Sequence, residues 1–371
     1  MFKLKDTDGM ARVGVLKTAH GRVDTPSFKP VATKGAVKPI TPEDLHEMGV
    51  QEIISNALLL SLKPGLEVIE AHGGLHKFIG WDGTIFTDCG GFQVLSMENS
   101  FHEKTTDEGL VFRSPFDGLR HHLTPKRLIE IQESLGSDIA MALDHMPLYG
   151  CTKAEAAESL KHTHKWMAEC KELHTRPKQL LFGIAQGSIY PDLRKKSIRY
   201  IDSLDFDGIA YGGLAVGEPK AKMYPMIKLS TENCSADKVH YLMGVGNPID
   251  LIECINLGVD SFDSVFPTRN ARHGQIFTRQ GPINIRNGTF RTDYSHLTED
   301  CSCKVCKTNT KSYVHHLHRM GEPLGMRLAA YHNLYFIQEL LRDVRKAIKQ
   351  GEWALFRKDF IKHYKLKKPD N

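Results

Sequence analysis

Eight short apolar runs punctuate this chain, at residues 27–33, 52–56, 84–88, 138–144, 180–186, 208–213, 240–244 and 261–266. Each ends in a polar residue or a glycine, except the last, which is followed by the chain-turning Pro267. Runs this short that do not alternate strictly suit strands buried on both faces, as in a parallel sheet. The segments between them have readable helix starts. Thr41-Pro42-Glu43-Asp44 supplies an N-cap, a proline at the first helical position and an acid three residues after the cap. Thr124-Pro125 repeats the device, with Gly136 placed to stop that helix, and Thr152 with Glu155 forms a further capping box. Strands alternating with helices in this number predict an α/β fold of the (β/α)8, or TIM-barrel, type rather than an open doubly wound sheet. Residues 6–25, with Gly14, His20-Gly21 and alternating valine and leucine, predict an N-terminal antiparallel hairpin that caps the barrel. A chain of 371 residues is long enough for one such barrel and an appendage.

Several function classes fall away at this point. No stretch approaches the eighteen or so consecutive apolar residues of a membrane span, and the N-terminus has no apolar signal core, so a cytoplasmic protein is expected. There is no P-loop, no GxGxxG, no GxSxG and no HExxH. Eight cysteines are too sparse for a disulfide framework, but Cys301, Cys303 and Cys306 fall within six positions. Three thiolates in one tight turn suit a tetrahedral ion that needs a fourth ligand, for which His315, His316, His318 and His332 are candidates. The net charge of +5 hides an asymmetry: residues 301–371 carry fifteen basic and six acidic side chains, and the first 300 carry thirty-four and thirty-eight. An excess of this kind points to a polyanionic partner, nucleic acid first, against the plainer reading of a solvated basic face.

In a barrel the chemistry sits where the strands end. The residues placed there are Asp88, Asp144, Gln186, Gly213, Gly244 and Asp263. A lone aspartate at a strand end is more often a helix cap, but three converging on one mouth need a ligand, a metal or each other. The run Asp88-Cys89-Gly90-Gly91-Phe92-Gln93 joins a carboxylate to two glycines that let a planar ligand approach and an aromatic that can stack on it. Residues 262–272 set Asp263 a few positions ahead of Arg269 and Arg272, the order of a nucleophile or acid beside a phosphate clamp.

Taken with Gln186-Gly187, the run from Gly212 to Glu218, Met243-Gly244-Val245-Gly246 and a histidine separated from the last clustered cysteine by twenty-five residues, these motifs resemble tRNA-guanine transglycosylases, in order, from about Arg12 to about Tyr364. The resemblance implies one catalytic unit over residues 1–371: a hairpin cap (1–26), a barrel with the active site (27–285), and a zinc-binding subdomain with closing helices (286–371). It implies exchange of the wobble guanine in GUN-anticodon tRNAs for a 7-deazaguanine base, in queuosine biosynthesis. Asp263 would be the nucleophile on the ribose anomeric carbon and Asp88 the general acid/base. Asp144, Gln186 and Gly213 would bind the base edge, Leu214 would offer its carbonyl to the 7-substituent, and Phe92 and Met243 would sandwich the ring. Arg269 and Arg272 would hold the RNA, and Cys301, Cys303, Cys306 and His332 one structural Zn2+. A homodimer is implied, with Tyr313 and His316 near the contact.

The chain departs from the family pattern at three places. Cys89 stands where serine is usual, Ser264 where bacterial members often have cysteine, and Asp144-His145-Met146 where they commonly show Asp-Glu-Cys. Val216 matches bacterial enzymes that use the 7-aminomethyl base (preQ1), and queuine is the alternative substrate. A non-catalytic partner subunit is a further alternative, opposed by the presence of both Asp88 and Asp263. A metal-dependent barrel hydrolase is another, opposed by the lack of histidine pairs at strand ends.

Overall fold

A computed structural model describes residues 1–91, 94 and 102–364. Its centre is an eight-stranded parallel barrel of Ser27–Pro30, Glu52–Asn56, Thr84–Asp88, Ile139–Met141, Leu180–Ala185, Gly208–Tyr211, Val239–Leu242 and Ser261–Ser264, here called the first to eighth barrel strands. Neighbours in sequence are neighbours in space, and the eighth strand pairs with the first. The remaining seam, between the first and second strands, is narrow. It consists of a bridge between Val31 and Ile54, with Ala32 N donating to Ile54 O (2.7 Å) and Asn56 N to Thr33 O (3.2 Å).

All eight apolar runs thus contain strands, though six of the strands are shorter than the runs, three of them for a readable reason. Regular pairing of the first ends at Pro30, which has no N–H to donate. The fourth stops at Met141, leaving residues 142–144 as a buried loop that carries Asp144 to the mouth. Past Ser264 the eighth run turns into the helix Phe266–Arg272, with Pro267 in its first turn. The expected caps form: Thr41 and Thr152 each make a capping box, Thr124 accepts from Arg127 N, and Gly136 ends its helix at φ 70°.

Two regions differ from the sequence expectation. The N-terminal cap is a three-stranded antiparallel sheet (Phe2–Asp8, Ala11–Thr18, Gly21–Thr25) rather than a hairpin, because the chain before Asp6 also pairs, with an irregularity between Leu4 and Asp6. A second antiparallel sheet (His102–Thr106, Gly109–Arg113, Arg120–Leu123) is inserted between the third and fourth barrel strands and was not foreseen.

The 28-residue helix Pro323–Gln350 packs along the helix Phe266–Arg272, the first barrel strand and the N-terminal sheet. Gln338 Nε2 donates to Phe28 O (3.1 Å), while Asn333 accepts from Phe277 N and donates to Pro267 O and Gln275 O. Those buried amide bonds fix the C-terminal region against the barrel, since an unmet polar group there would cost about 1–3 kcal/mol. No helix among the described residues is long and apolar enough to cross a membrane.

Candidate active site

The C-terminal ends of the strands surround a cavity of about 420 Å³, lined by Asp88, Asp144, Gln186, Gly213, Leu214, Met243, Asp263 and Arg269 among others. Residues from six strand ends and the helix after the eighth strand therefore meet in one volume, large enough for a planar heterocycle and a sugar. Phe92 lies outside the described residues. Arg272 does not line the cavity; it is half-buried on the same helix as Arg269. Burial, then the neighbouring Arg269 charge, pulls its pKa below the ordinary arginine value.

Asp263, on the eighth strand, is held on one side. Tyr241 Oη donates to its Oδ1 at 2.6 Å and Gly244 N donates to the same atom at 3.1 Å. Both donors fall on one oxygen, so among the described residues the second is left for another partner. Burial, reinforced by the Asp263 charge, pushes the Tyr241 phenol well above its ordinary value, so it stays a neutral donor. Across the mouth, Asp88 Oδ1 accepts from Gly90 N (3.1 Å), and Gln132 Nε2 reaches the Asp88 carbonyl (3.4 Å).

The second cluster is dry. Asp144 Oδ1 accepts from the Cys89 thiol (3.2 Å) and Oδ2 from Gln186 Nε2 (2.6 Å). Burial raises the Asp144 pKa, while these two donors pull it back. Gln186 Oε1 is buried without a partner among the described residues, and its NH2 has one hydrogen beyond the one given to Asp144. Buried polar atoms normally find partners, so this vacancy beside a cavity marks a place where a ligand edge fits. The glycines beneath are required: a Cβ at Gly212 would stand 2.3 Å from Gln186 Nε2, and one at Gly213 (φ 67°) 2.4 Å from Gln186 Oε1.

Three residues not singled out from the sequence shape this floor. Arg194, fully buried, donates to the carbonyls of Ala185, Gly212 and Ser188. The Glu218 carboxylate accepts from Ala215 N and Val216 N, pinning the backbone that follows Leu214, where Ala215 takes a left-handed φ of 58°. Tyr241 is the third. A long polar side chain inside an apolar strand, or an acid just past a glycine turn, was the available signal.

Away from the mouth, Cys301, Cys303, Cys306 and His332 form a group able to hold a metal ion, their ligand atoms all within 4.8 Å of one another. His332 comes from the long helix, and its Nε2 lies 2.8 Å from Phe277 O. That bond makes Nε2 the protonated nitrogen and leaves Nδ1 facing the sulfurs, at 3.7, 3.6 and 3.3 Å. The competing histidines stand elsewhere; His315 Nδ1 is bonded to Ile285 O (2.7 Å). Geometry thus selects among the four ligands that the spacing left open.

The basic C-terminal segment is less available than its composition implies. Arg345 is turned inward onto the carbonyls of Asp24 and Pro26, and Lys304 and Arg327 pair with Asp44, whereas Lys346 and Lys349 are exposed.

The family whose sequence model is described as Queuine tRNA-ribosyltransferase matches residues 6–366. Proteins named Queuine tRNA-ribosyltransferase are similar along almost the full length. The one from Thermoanaerobacter pseudethanolicus is 47% identical over 364 residues, covering 98% of this chain and 96% of its own. That from Francisella tularensis subsp. novicida is 46% identical over 364 residues, with 98% and 99% covered. That from Thiobacillus denitrificans is 47% identical over 355 residues, with 96% of each covered.

Proposed function

Because the chain belongs to the queuine tRNA-ribosyltransferase family, we propose that it replaces the wobble guanine of GUN-anticodon tRNAs (those for Asp, Asn, His and Tyr) with 7-aminomethyl-7-deazaguanine. The family assignment carries tRNA-guanine transglycosylase chemistry. The observation that carries it is the division of the mouth into two carboxylate sites, Asp263 held through one oxygen and Asp144 paired with an unfilled Gln186 over a glycine floor.

In this reading the second oxygen of Asp263 attacks the ribose anomeric carbon. The bond from that carbon to guanine breaks with its electron pair going to the base, and Asp88 supplies the proton the base takes up. The incoming base then gives its proton to Asp88, attacks the same carbon, and releases Asp263 as a carboxylate. Two displacements at one carbon keep the sugar configuration, as in retaining glycosidases. Asp144 accepts from the N–H groups of the base edge, and the spare N–H of Gln186 with Gly213 N donates to its carbonyl. Met243 flanks the ring, the Leu214 carbonyl accepts from the aminomethyl group, and Arg269 and Arg272 hold RNA phosphates. Met146 and Val216 both line the cavity; of the two, Val216, bulkier than the residue expected in queuine users, favours the aminomethyl base.

The metal is read as zinc. Zinc bond lengths in a tetrahedron put sulfur and nitrogen ligands about 3.6 Å apart, and the observed separations are 3.3–3.7 Å. Four protein ligands close the coordination shell, so the ion is structural. The chain acts as a single catalytic unit, since the metal-binding helix is also packed on the barrel. Tyr313 and His316 are exposed one turn apart on the helix Lys311–Met320 and supply a face for a second copy.

The test is a base-exchange assay with radiolabelled guanine in GUN and non-GUN tRNAs, offering the aminomethyl base and queuine separately. Displacement from GUN tRNA alone, by the aminomethyl base, is expected; no displacement, or displacement by queuine only, contradicts the corresponding part. Chelation or His332→Ala is expected to release one zinc per chain and lower the melting temperature. Full stability after zinc loss contradicts the structural role.

A further inference from the structure

Inside the barrel, beneath the mouth, lies an ion pair that the chemistry above does not use. Lys29 on the first strand is fully buried, and Glu52 on the second is 1% exposed. Lys29 Nζ and Glu52 Oε1 are 3.8 Å apart. The ammonium donates to Ser261 Oγ and lies 3.8 Å from the centroid of the Tyr241 ring and 4.3 Å from that of Phe86. Neither Glu52 oxygen meets a donor in good hydrogen-bond geometry among the described residues, although Ser27 and Lys29 both favour its charged form. Stability is a poor reason for such a pair, because desolvation offsets the attraction and apolar side chains of similar volume stabilise a core equally well or better.

The contacts around the pair lead to the reacting carboxylate. Lys29 stands against the face of Tyr241, and the Tyr241 hydroxyl donates to Asp263 Oδ1 at 2.6 Å. A cation on the face of a phenol draws density from the ring and makes its O–H a stronger donor. Glu52 keeps the ammonium charged in a dry interior where a lone lysine would shed its proton. We infer that the Lys29–Glu52 pair is a positioning device for Asp263, acting through Tyr241. It fixes Oδ1 in a strong hydrogen bond, so the other oxygen meets the ribose without reorienting. This rests on Asp263 being the attacking carboxylate.

Burial lowers the lysine pKa and raises the glutamate one; their mutual attraction offsets only part of each shift, and the Asp263 charge supports the charged lysine while raising Glu52 further. The charged groups that face Lys29 are Glu52 from the second strand and Asp263 from the eighth, and Asp88 from the third acts on Tyr241.

The experiment compares Lys29→Met/Glu52→Leu, which removes both charges and keeps the volume, with Tyr241→Phe and with the three changes combined. Guanine exchange gives kcat and the KM for tRNA; circular dichroism and zinc content report folding. The charge-free variant is expected to fold, to keep its KM, and to lose about tenfold in kcat. Tyr241→Phe should lose a similar factor, and the combined variant no more than the larger single loss, since all act along one route. Parental kcat in the folded charge-free variant, or losses that multiply in the combined one, would overturn the inference. If the apolar pair does not fold, Lys29→Gln/Glu52→Gln, whose amides bond across the same gap, is read by the same kinetics. Asp263→Ala is assayed alongside: exchange surviving there sinks the nucleophile reading and this inference with it. Exchange lost there but parental kcat without the ion pair sinks this inference alone.

Discussion

The two ends of the barrel both carry buried aspartates at strand ends, and they are built in opposite ways. At the N-terminal end Asp138 is saturated: it accepts from Ile85 N, His20 N and the rings of His20 and His76, all between 2.9 and 3.0 Å. Asp260 is closed likewise by Arg12, through both Oδ atoms at 3.0 Å, and by His240 N. Of those partners Arg12 and His20 come from the N-terminal sheet and its turn, so the carboxylates clamp it to the barrel. At the mouth, among the described residues, donors reach only one oxygen of Asp263, and Asp144 shares its site with a Gln186 whose Oε1 has no partner. The comparison teaches that location at a strand end does not make a carboxylate functional. Spare acceptor capacity facing a cavity does.

Removing one member from each end gives the sharpest contrast. Asp263→Ala is expected to reduce exchange on the order of 10⁴-fold or more, with unfolding free energy changed by less than about 1 kcal/mol. Asp138→Ala is expected to do the reverse, losing about 3–5 kcal/mol of stability in denaturant titration while the folded fraction keeps its kcat. Equal stability losses at the two ends would break the comparison.

Acid separates the ends as well. Burial pushes the Asp138 pKa up, but the His76 bond, Ile85 N and His20 outweigh it and hold the group below its ordinary value. Its contribution is therefore present above the unfolded pKa of about 3.9 and is lost as pH falls through the folded value. The Asp144 pKa is raised by burial; if it binds the base edge as proposed, it must be ionised, so affinity for guanine is expected above that raised value and should disappear as pH falls through it. Titration of base binding should thus show a loss of about tenfold per pH unit that begins well before the protein unfolds in acid. Base binding that persists down to the unfolding transition would contradict this.

The smallest effects are expected at the exposed lysines of the long helix. Lys346→Ala or Lys349→Ala should each weaken tRNA binding less than about threefold and reduce the salt slope by about one, with unchanged exchange at saturating tRNA. Arg345→Ala, by contrast, should register in stability, because that side chain is spent on the carbonyls of Asp24 and Pro26.

What was legible in the sequence follows from the same physics. The barrel could be read because strands buried on both faces leave uninterrupted apolar runs, and its helices because caps need particular residues. The inserted sheet at residues 102–123 could not, since its strands are short and two of them are largely polar, with little of the periodicity that marks a buried face. Asp88, Asp144, Gln186 and Asp263 were legible as strand-end residues, and the structure brings them to one cavity. Lys29, Glu52 and Tyr241 were not, because a charge inside a barrel strand looks in sequence like an interruption, and only the folded chain shows what it faces. Spacing alone left His332 one of four candidates; the family resemblance pointed to it, and Phe277 O holds its ring toward the sulfurs.

The most direct test of the division between the two ends is to trap the reaction on Asp263. Protein is mixed with a GUN-anticodon tRNA, quenched in denaturant and run on a denaturing gel that resolves free RNA from RNA covalently joined to protein. The unaltered chain and Asp138→Asn are expected to give the joined species, and Asp263→Ala none. A joined species of equal amount in Asp263→Ala would show that the carboxylate with the open oxygen is not the one that attacks.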